Sequence, residues 1–286
     1  MSKLEITTRI GCQVNCRYCP QQKLIKAYTR KSPILEMSME TFSTCLETSP
    51  TKVALHFSGM CEPWLNPLCT EMVLYSSQRG YAVMASTTLV GMELNDVARL
   101  ETIPLTRFNI HLPSAGDGGE HIAVDAHYMQ VLERIVCSQM NVKLRFLGTS
   151  LHRDVAAFLK HHHIQHVQIH TRAGNQPIPN RPLLSERKGE IGCERKFRQN
   201  VLLPNGDVVL CCMDYGLQHI LGNLRMDKYD TLFQSPEFRR IQQGACDPTS
   251  SILCRTCDDF AYPKSFWARI RSGNVRKFLK TYWPSR

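Results

Sequence analysis

Gly11-Cys-Gln-Val-Asn-Cys-Arg-Tyr-Cys-Pro20 places three cysteines, Cys12, Cys16 and Cys19, at C-x3-C-x2-C spacing. Three thiolates ligate three irons of a 4Fe-4S cluster and leave the fourth iron open. An open iron can chelate the amino and carboxylate groups of a small molecule, which turns an electron carrier into a place where that molecule is reduced and cleaved. Zinc is the competing reading. A structural zinc site closes with a fourth ligand, and nothing near this stretch supplies one.

Outward from this stretch the chain alternates short apolar or β-branched runs with helix-like segments. The strand candidates are Leu4 to Thr8, Lys52 to Phe57, Tyr81 to Thr87, Arg107 to Leu112, Val142 to Phe146 and Val167 to His170. Between them, helical patterning covers Met39 to Thr48, Leu68 to Arg79, Leu94 to Glu101, Ile122 to Gln139 and Arg153 to His162. This is the pattern of repeated β-α units around a parallel sheet, with six units ending near residue 170. The 286 residues, 43% hydrophobic, are enough for a full core without staples. Thirteen cysteines with no leader-like start at Met1-Ser-Lys-Leu are expected to be ligands and reduced thiols in a cytoplasmic protein. No run is long and apolar enough for a membrane span. The net charge of +10 suits an anionic substrate, an acidic redox partner or a membrane surface, without choosing among them.

The three-cysteine spacing, with an aromatic residue before the last cysteine, resembles the signature of the radical S-adenosylmethionine enzymes. The resemblance implies an α/β fold, a partial (β/α)6 barrel followed by a small cysteine-rich auxiliary-cluster domain with a β-hairpin. It implies S-adenosyl-L-methionine as cofactor, split to a 5'-deoxyadenosyl radical, with Tyr18 against the adenine. Phe57-Ser-Gly-Met-Cys-Glu-Pro looks like the family's Gly-Gly-Glu region, so Gly59 and Glu62 are the candidates for holding the cofactor's ammonium; Cys61 stands where relatives carry a second glycine. Ser86 and Thr88, at the end of the third strand, are candidates for the ribose. Asn109 and His111 share one strand face by period-two alternation. Thr171-Arg-Ala-Gly-Asn175 is a string often found in family members with a C-terminal cluster extension. Arg172 is a candidate for the cofactor carboxylate or an anionic substrate, and His111 or His170 for a proton acceptor. Each histidine is read equally well as a packing residue.

Cys193, Gly206, Cys211, Cys254 and Cys257 make a second pattern. Val201 to Leu203, a Pro-Asn-Gly-Asp turn and Val208 to Leu210 read as a hairpin. A short helix is expected to cross it within residues 221–238. The arrangement resembles the short, single-cluster form of the family's C-terminal domain. It implies a second 4Fe-4S cluster, fully ligated by Cys193, Cys211, Cys254 and Cys257 and used for electron exchange. Cys212 competes with Cys211, and a zinc ribbon competes with the cluster. The boundaries expected are 1–185 for the barrel, 186–262 for the auxiliary domain and 263–286 for a basic tail, a closing helix or an anionic-surface contact. Cys45 and Cys137 read as core residues on helices, and Cys246 as a polar-loop thiol able to donate a hydrogen atom.

Size and cysteine spacing resemble the aminocyclitol dehydrogenase type. Its implied substrate is a small carbohydrate-like molecule, changed at a hydroxyl-bearing carbon by oxidation or by epimerisation, with a flavodoxin- or ferredoxin-type reductant. Peptide modification is the alternative, set back by a motif that begins at residue 12. A non-catalytic zinc or nucleic-acid-binding protein is the third reading.

Overall fold

The computed structural model describes residues 2–115, 121–167, 169–176, 189–193, 195 and 197–261, the last two of these by backbone alone. The basic tail read from the sequence lies outside them, as does the 185/186 boundary. The elements in chain order are β1 (Lys3–Ile6), α1 (Gln21–Thr29), α2 (Met39–Glu47), β2 (Ala54–Phe57), α3 (Cys69–Gln78), β3 (Val83–Thr87), α4 (Leu94–Leu100), β4 (Arg107–Leu112), α5 (Ala126–Val136), β5 (Val142–Phe146), α6 (Arg153–Phe158) and β6 (Ile164–His166). There follow β7 (Gly192–Cys193), β8 (Gln199–Leu202), β9 (Asp207–Val209), β10 (Ile220–Asn223), α7 (Pro236–Cys246) and β11 (Phe260–Ala261).

β1 to β6 lie side by side and parallel, in sequence order, as repeated β-α units require. One sheet face carries Leu4, Ile6, Leu55, Phe57, Val83, Ala85, Phe108 and Ile110, all buried in the main core with the helices. The helices supply matching stripes, such as Tyr128, Val131, Leu132 and Ile135 of α5. Asp125 caps α5 by accepting from Tyr128 N at 2.8 Å, which starts that helix four residues later than the apolar pattern from Ile122 suggests. On the other face, register pairing brings Glu5 beside His56, Ser86 beside Asn109, and His111 beside Arg145. A sheet polar on one face and apolar on the other is built to line a site.

The hairpin β8–β9 forms as expected, its turn closed by Gly206 at φ +92°, and β10 adds a third antiparallel strand. β8 pairs in parallel with β1, so the two halves of the chain share a nine-stranded sheet ordered β10-β9-β8-β1-β2-β3-β4-β5-β6.

Several expectations are corrected. The sixth strand is Ile164–His166, not Val167 to His170: Thr171 N donates to Asp258 Oδ2 at 2.7 Å, drawing the chain off the sheet edge toward the second half. The crossing helix expected in 221–238 is instead β10, a 3-10 turn over Tyr229–Gln234 and then α7, capped by Ser235. Cys246 is the last residue of α7, not a loop residue. Cys45 is buried, but Cys137, the C-cap of α5, is exposed. α1 escaped the sequence reading because only Leu24 and Tyr28 are buried apolar positions in a polar stretch.

Candidate active site

The loop after β1 carries Cys12, Cys16 and Cys19 to the rim of a cavity of about 630 Å³ at the carboxyl ends of the strands. Gly11 at φ +92° and Asn15 at φ +51° turn the loop back on itself. Gln21, the first residue of α1, fixes it: its Nε2 donates to Cys19 Sγ at 3.1 Å and to Met60 O at 2.6 Å, tying the thiol loop to the loop after β2. Gly59 in that second loop has φ +61°, and a Cβ there would lie 2.2 Å from Thr7 Oγ1 and 3.0 Å from Thr7 N, so only glycine fits.

Among the described residues Glu62 is the only carboxylate lining this cavity, and it is 4% exposed. It accepts from Thr87 Oγ1 at 2.6 Å, Thr88 N at 2.6 Å and Thr88 Oγ1 at 2.7 Å. Burial nevertheless pushes its carboxyl up to about 7, the hydrogen bonds offsetting only part of the cost. An ammonium beside it would restore the charged form. Thr88 is therefore spent on Glu62. Ser86 is 2.8 Å from His56 Nε2 and accepts from Asn109 Nδ2 at 2.9 Å, so both proposed ribose contacts line the cavity but hold protein partners. Burial pushes the Cys61 thiol up to about 12, and it lies 3.8 Å from Thr8 Oγ1; it is a neutral packing thiol. Tyr18, His111 and Arg172 complete the cavity wall.

A second, smaller cavity is lined by Cys193, Cys211, Cys254 and Cys257 together with Arg195 and Asp259. The β7–β11 pair places Cys193, the turn after β9 places Cys211, and a 3-10 turn over Leu253–Thr256 places Cys254. Asp259 N donates to Cys257 Sγ at 3.3 Å. Cys212 faces elsewhere. It packs with Leu24, Tyr28 and Val201 and accepts from Arg195 Nη1 at 3.0 Å.

The donor chemistry fits iron–sulfur clusters at both places. Burial raises Cys211 well above the ordinary thiol value and Cys254 and Cys257 to about 12, with the neighbouring thiols adding to it, and burial raises Cys12 as well. Gathered thiols that resist ionisation become thiolates when cationic iron binds. Among the described residues no three His, Cys, Asp or Glu side chains close on one point to hold a single metal ion.

The loop over 171–175 joins the two cavities. Arg172 and Ala173 have φ of +52° and +54°, left-handed conformations that cost non-glycine residues on the order of 1–3 kcal/mol and persist where the surroundings impose them. Thr256 Oγ1 donates to Ala173 O at 2.8 Å on the auxiliary side. On the other, the Arg172 guanidinium stands 5.9 Å from the Tyr215 ring centroid, and Tyr215 Oη is 3.1 Å from Cys19 Sγ. Tyr215, Gln21 and Arg195 were not found by sequence reading. His170 lies on the auxiliary side, 3.4 Å from Asp259. Cys246 is exposed and lines neither cavity.

Burial, then Arg145 and Arg172, holds His111 down to about 4, and burial holds His56 at about 4 as well. Between pH 6.5 and 4 the unfolded chain takes up a proton on each that the folded chain refuses, so these groups lower folding stability as pH falls. Glu62 acts oppositely between about 7 and 4.5, because the folded chain protonates it first. His111→Asn should therefore remove up to about 1.4 kcal/mol of pH dependence per unit in that window. The thermal midpoint of the variant should fall less steeply than that of the wild type from pH 6.5 to 4.5; equal slopes would show that His111 protonates freely in the folded chain.

Residues 193–258 match the SPASM family, an iron–sulfur cluster-binding domain. No curated protein matches the chain. Among solved structures, BtrN in complex with AdoMet and 2-DOIA is similar at 15% identity and TM-score 0.61, over 90% of this chain and 93% of that one. anSMEcpe with bound AdoMet is similar at 10% identity and TM-score 0.58, over 99% and 97%. Streptococcus suis SuiB bound to its precursor peptide SuiA is similar at 12% identity and TM-score 0.60, over 89% and 69%. The chain shares the fold of these three structures, with its three-cysteine loop at the strand ends.

Proposed function

We propose that this protein is a radical S-adenosylmethionine oxidoreductase that removes a hydrogen atom from a hydroxyl-bearing carbon of a sugar or aminocyclitol and oxidises that carbon to a ketone. The observation that carries the reading is the pair of thiol cavities: Cys12, Cys16 and Cys19 from one loop beside the first cavity, four thiols around the second, joined by the loop over 171–175. In this reading Cys12, Cys16 and Cys19 hold the cluster that binds S-adenosylmethionine, and Cys193, Cys211, Cys254 and Cys257 hold the auxiliary cluster. When bound, these groups supply a hydrogen-abstracting radical and an electron acceptor.

The chain's own residues orient and seal. Glu62, with Thr87 and Thr88 behind it, receives the cofactor ammonium; Gly59 lets the backbone approach; Tyr18 stacks on the adenine. Gln21 and Tyr215 direct two hydrogen-bonding groups at Cys19 Sγ and hold it against the loop. His111, neutral at physiological pH, donates or accepts a hydrogen bond but is a weak base. Oxidation is favoured over epimerisation because Cys246, the candidate hydrogen donor, is exposed and lines neither cavity. All thirteen cysteines are free, which suits a reducing cytoplasm, and no helix among the described residues is long and apolar enough to cross a membrane. The +10 charge suits an acidic flavodoxin or ferredoxin as reductant.

The structural neighbours favour no substrate class by themselves: BtrN holds the small molecule 2-DOIA, while anSMEcpe and SuiB hold peptides. The test is product analysis in deuterated water with a panel of sugars and aminocyclitols, 2-DOIA first. A ketone without solvent label at the attacked carbon, formed equally by Cys246→Ala, is expected. Label at that carbon would mean epimerisation, and turnover of peptides alone would mean the peptide reading.

A further inference from the structure

Two arginines near the first cavity have no acid to answer them. His111 on β4 and Arg145 on β5 are register partners, so their side chains leave the sheet on the same polar face. Arg172 comes to His111 from the loop after β6, and the two line the cavity together. Both guanidiniums lie close enough to act on the His111 imidazole. Neither makes an ion pair within the described residues, and the buried Nε of each has no hydrogen-bond partner. The carboxylates nearby are engaged elsewhere. Glu62 is bonded to Thr87 and Thr88, and Glu5, on the same sheet face, is 3.0 Å from Lys3 and 3.9 Å from Arg195.

Burying the Arg172 guanidinium without an acid is costly, and a second, half-buried guanidinium on the same neutral imidazole leaves the site with further positive charge that no acid offsets. Such a site is stabilised by an anion, and the planar guanidinium fork matches the paired oxygens of a carboxylate or phosphate. The cofactor carries one carboxylate, which one arginine can satisfy. A second cation and an imidazole then remain. We infer that Arg145, Arg172 and His111 form a subsite for an anionic group on the substrate, a carboxylate or a phosphate, so that the substrate class is an acidic sugar or cyclitol. The inference rests on the proposed oxidoreductase reading for the molecule that bears the anion; the uncompensated charge stands without it.

The experiment is anaerobic calorimetric titration of the reconstituted, S-adenosylmethionine-loaded protein with inorganic phosphate, acetate, glucose 6-phosphate, glucuronate and glucose. Binding of phosphate or acetate at one site is expected, with the matching charged sugar at least about tenfold tighter than glucose, and the tighter of the two charged sugars identifies the group. Arg145→Gln should weaken anion binding by about tenfold or more while leaving S-adenosylmethionine affinity within about threefold, and Arg145→Lys should keep most of it. Failure of both phosphate and acetate to bind would overturn the subsite. So would loss of S-adenosylmethionine affinity in Arg145→Gln and Arg172→Gln by the same factor as the loss of anion binding, since both arginines would then serve the cofactor. Dithionite-driven formation of 5'-deoxyadenosine, measured on the same samples, separates the two ideas. Cleavage without anion binding sinks the subsite and spares the oxidoreductase; anion binding without cleavage does the reverse.

Discussion

Replacing Cys12, Cys16 and Cys19 together by Ala should reduce reductive cleavage of S-adenosylmethionine to the level of buffer, a loss of at least roughly a thousandfold, while one cluster's worth of iron stays bound. The size of the effect follows from where the thiols are. All three line one cavity, and the remaining cysteine there, Cys61, comes from the loop after β2 and is a single thiol that cannot replace three. The retained iron follows from the second cavity, whose four thiols come from segments far from the loop after β1. Iron and acid-labile sulfide analysis after anaerobic reconstitution reads both halves at once. Loss of all iron from the variant would mean that the four-thiol cavity does not hold a cluster by itself.

The second large effect is expected at that cavity. A Cys254→Ala and Cys257→Ala double variant should lose about half of the bound iron, keep S-adenosylmethionine cleavage within about threefold of the wild type, and lose product by at least roughly a hundredfold. Cys254 and Cys257 supply two of the four thiols, and Cys212, the nearest spare, packs on the far side against Leu24 and Tyr28 with Arg195 on its sulfur. On the proposed reading their removal would leave the electron of the attacked carbon without its acceptor, while the cavity around Glu62 keeps all of its residues. Because Thr171 and Ala173 are tied to Asp258 and Thr256, the double variant also tests whether the loop over 171–175 keeps its place. Cleavage lost together with product would mark the second cavity as the support of the first. Full turnover would mark it as structural alone.

The features legible in the sequence were those set by local spacing. C-x3-C-x2-C, the Gly59 to Glu62 turn and the Pro-Asn-Gly-Asp hairpin each depend on residues a few positions apart, and apolar periodicity located β4 and β5 to the residue. Cys211 and Cys212 are adjacent in sequence, and only the fold separates a thiol facing the four-cysteine cavity from one under Arg195. Tyr215 approaches Cys19 across 196 residues of chain, and Arg145 meets Arg172 only because β5 and the loop after β6 converge on His111. No local pattern announces such contacts. β10 was missed because Leu221-Gly-Asn puts a glycine at φ +159° inside a short strand, which weakens its strand signature. Cys246 was misplaced for a related reason: Gly244 in its helix looks like loop, yet it is needed there, since a Cβ would meet Ser250 Oγ at 2.4 Å.

The most direct test of the account is quantification of 5'-deoxyadenosine and methionine after anaerobic reconstitution with iron and sulfide, reduction by dithionite and addition of S-adenosylmethionine to the wild-type protein. The two products in equal amounts, absent without reductant, are the predicted result; a protein that holds both clusters, binds S-adenosylmethionine and forms neither product would contradict it.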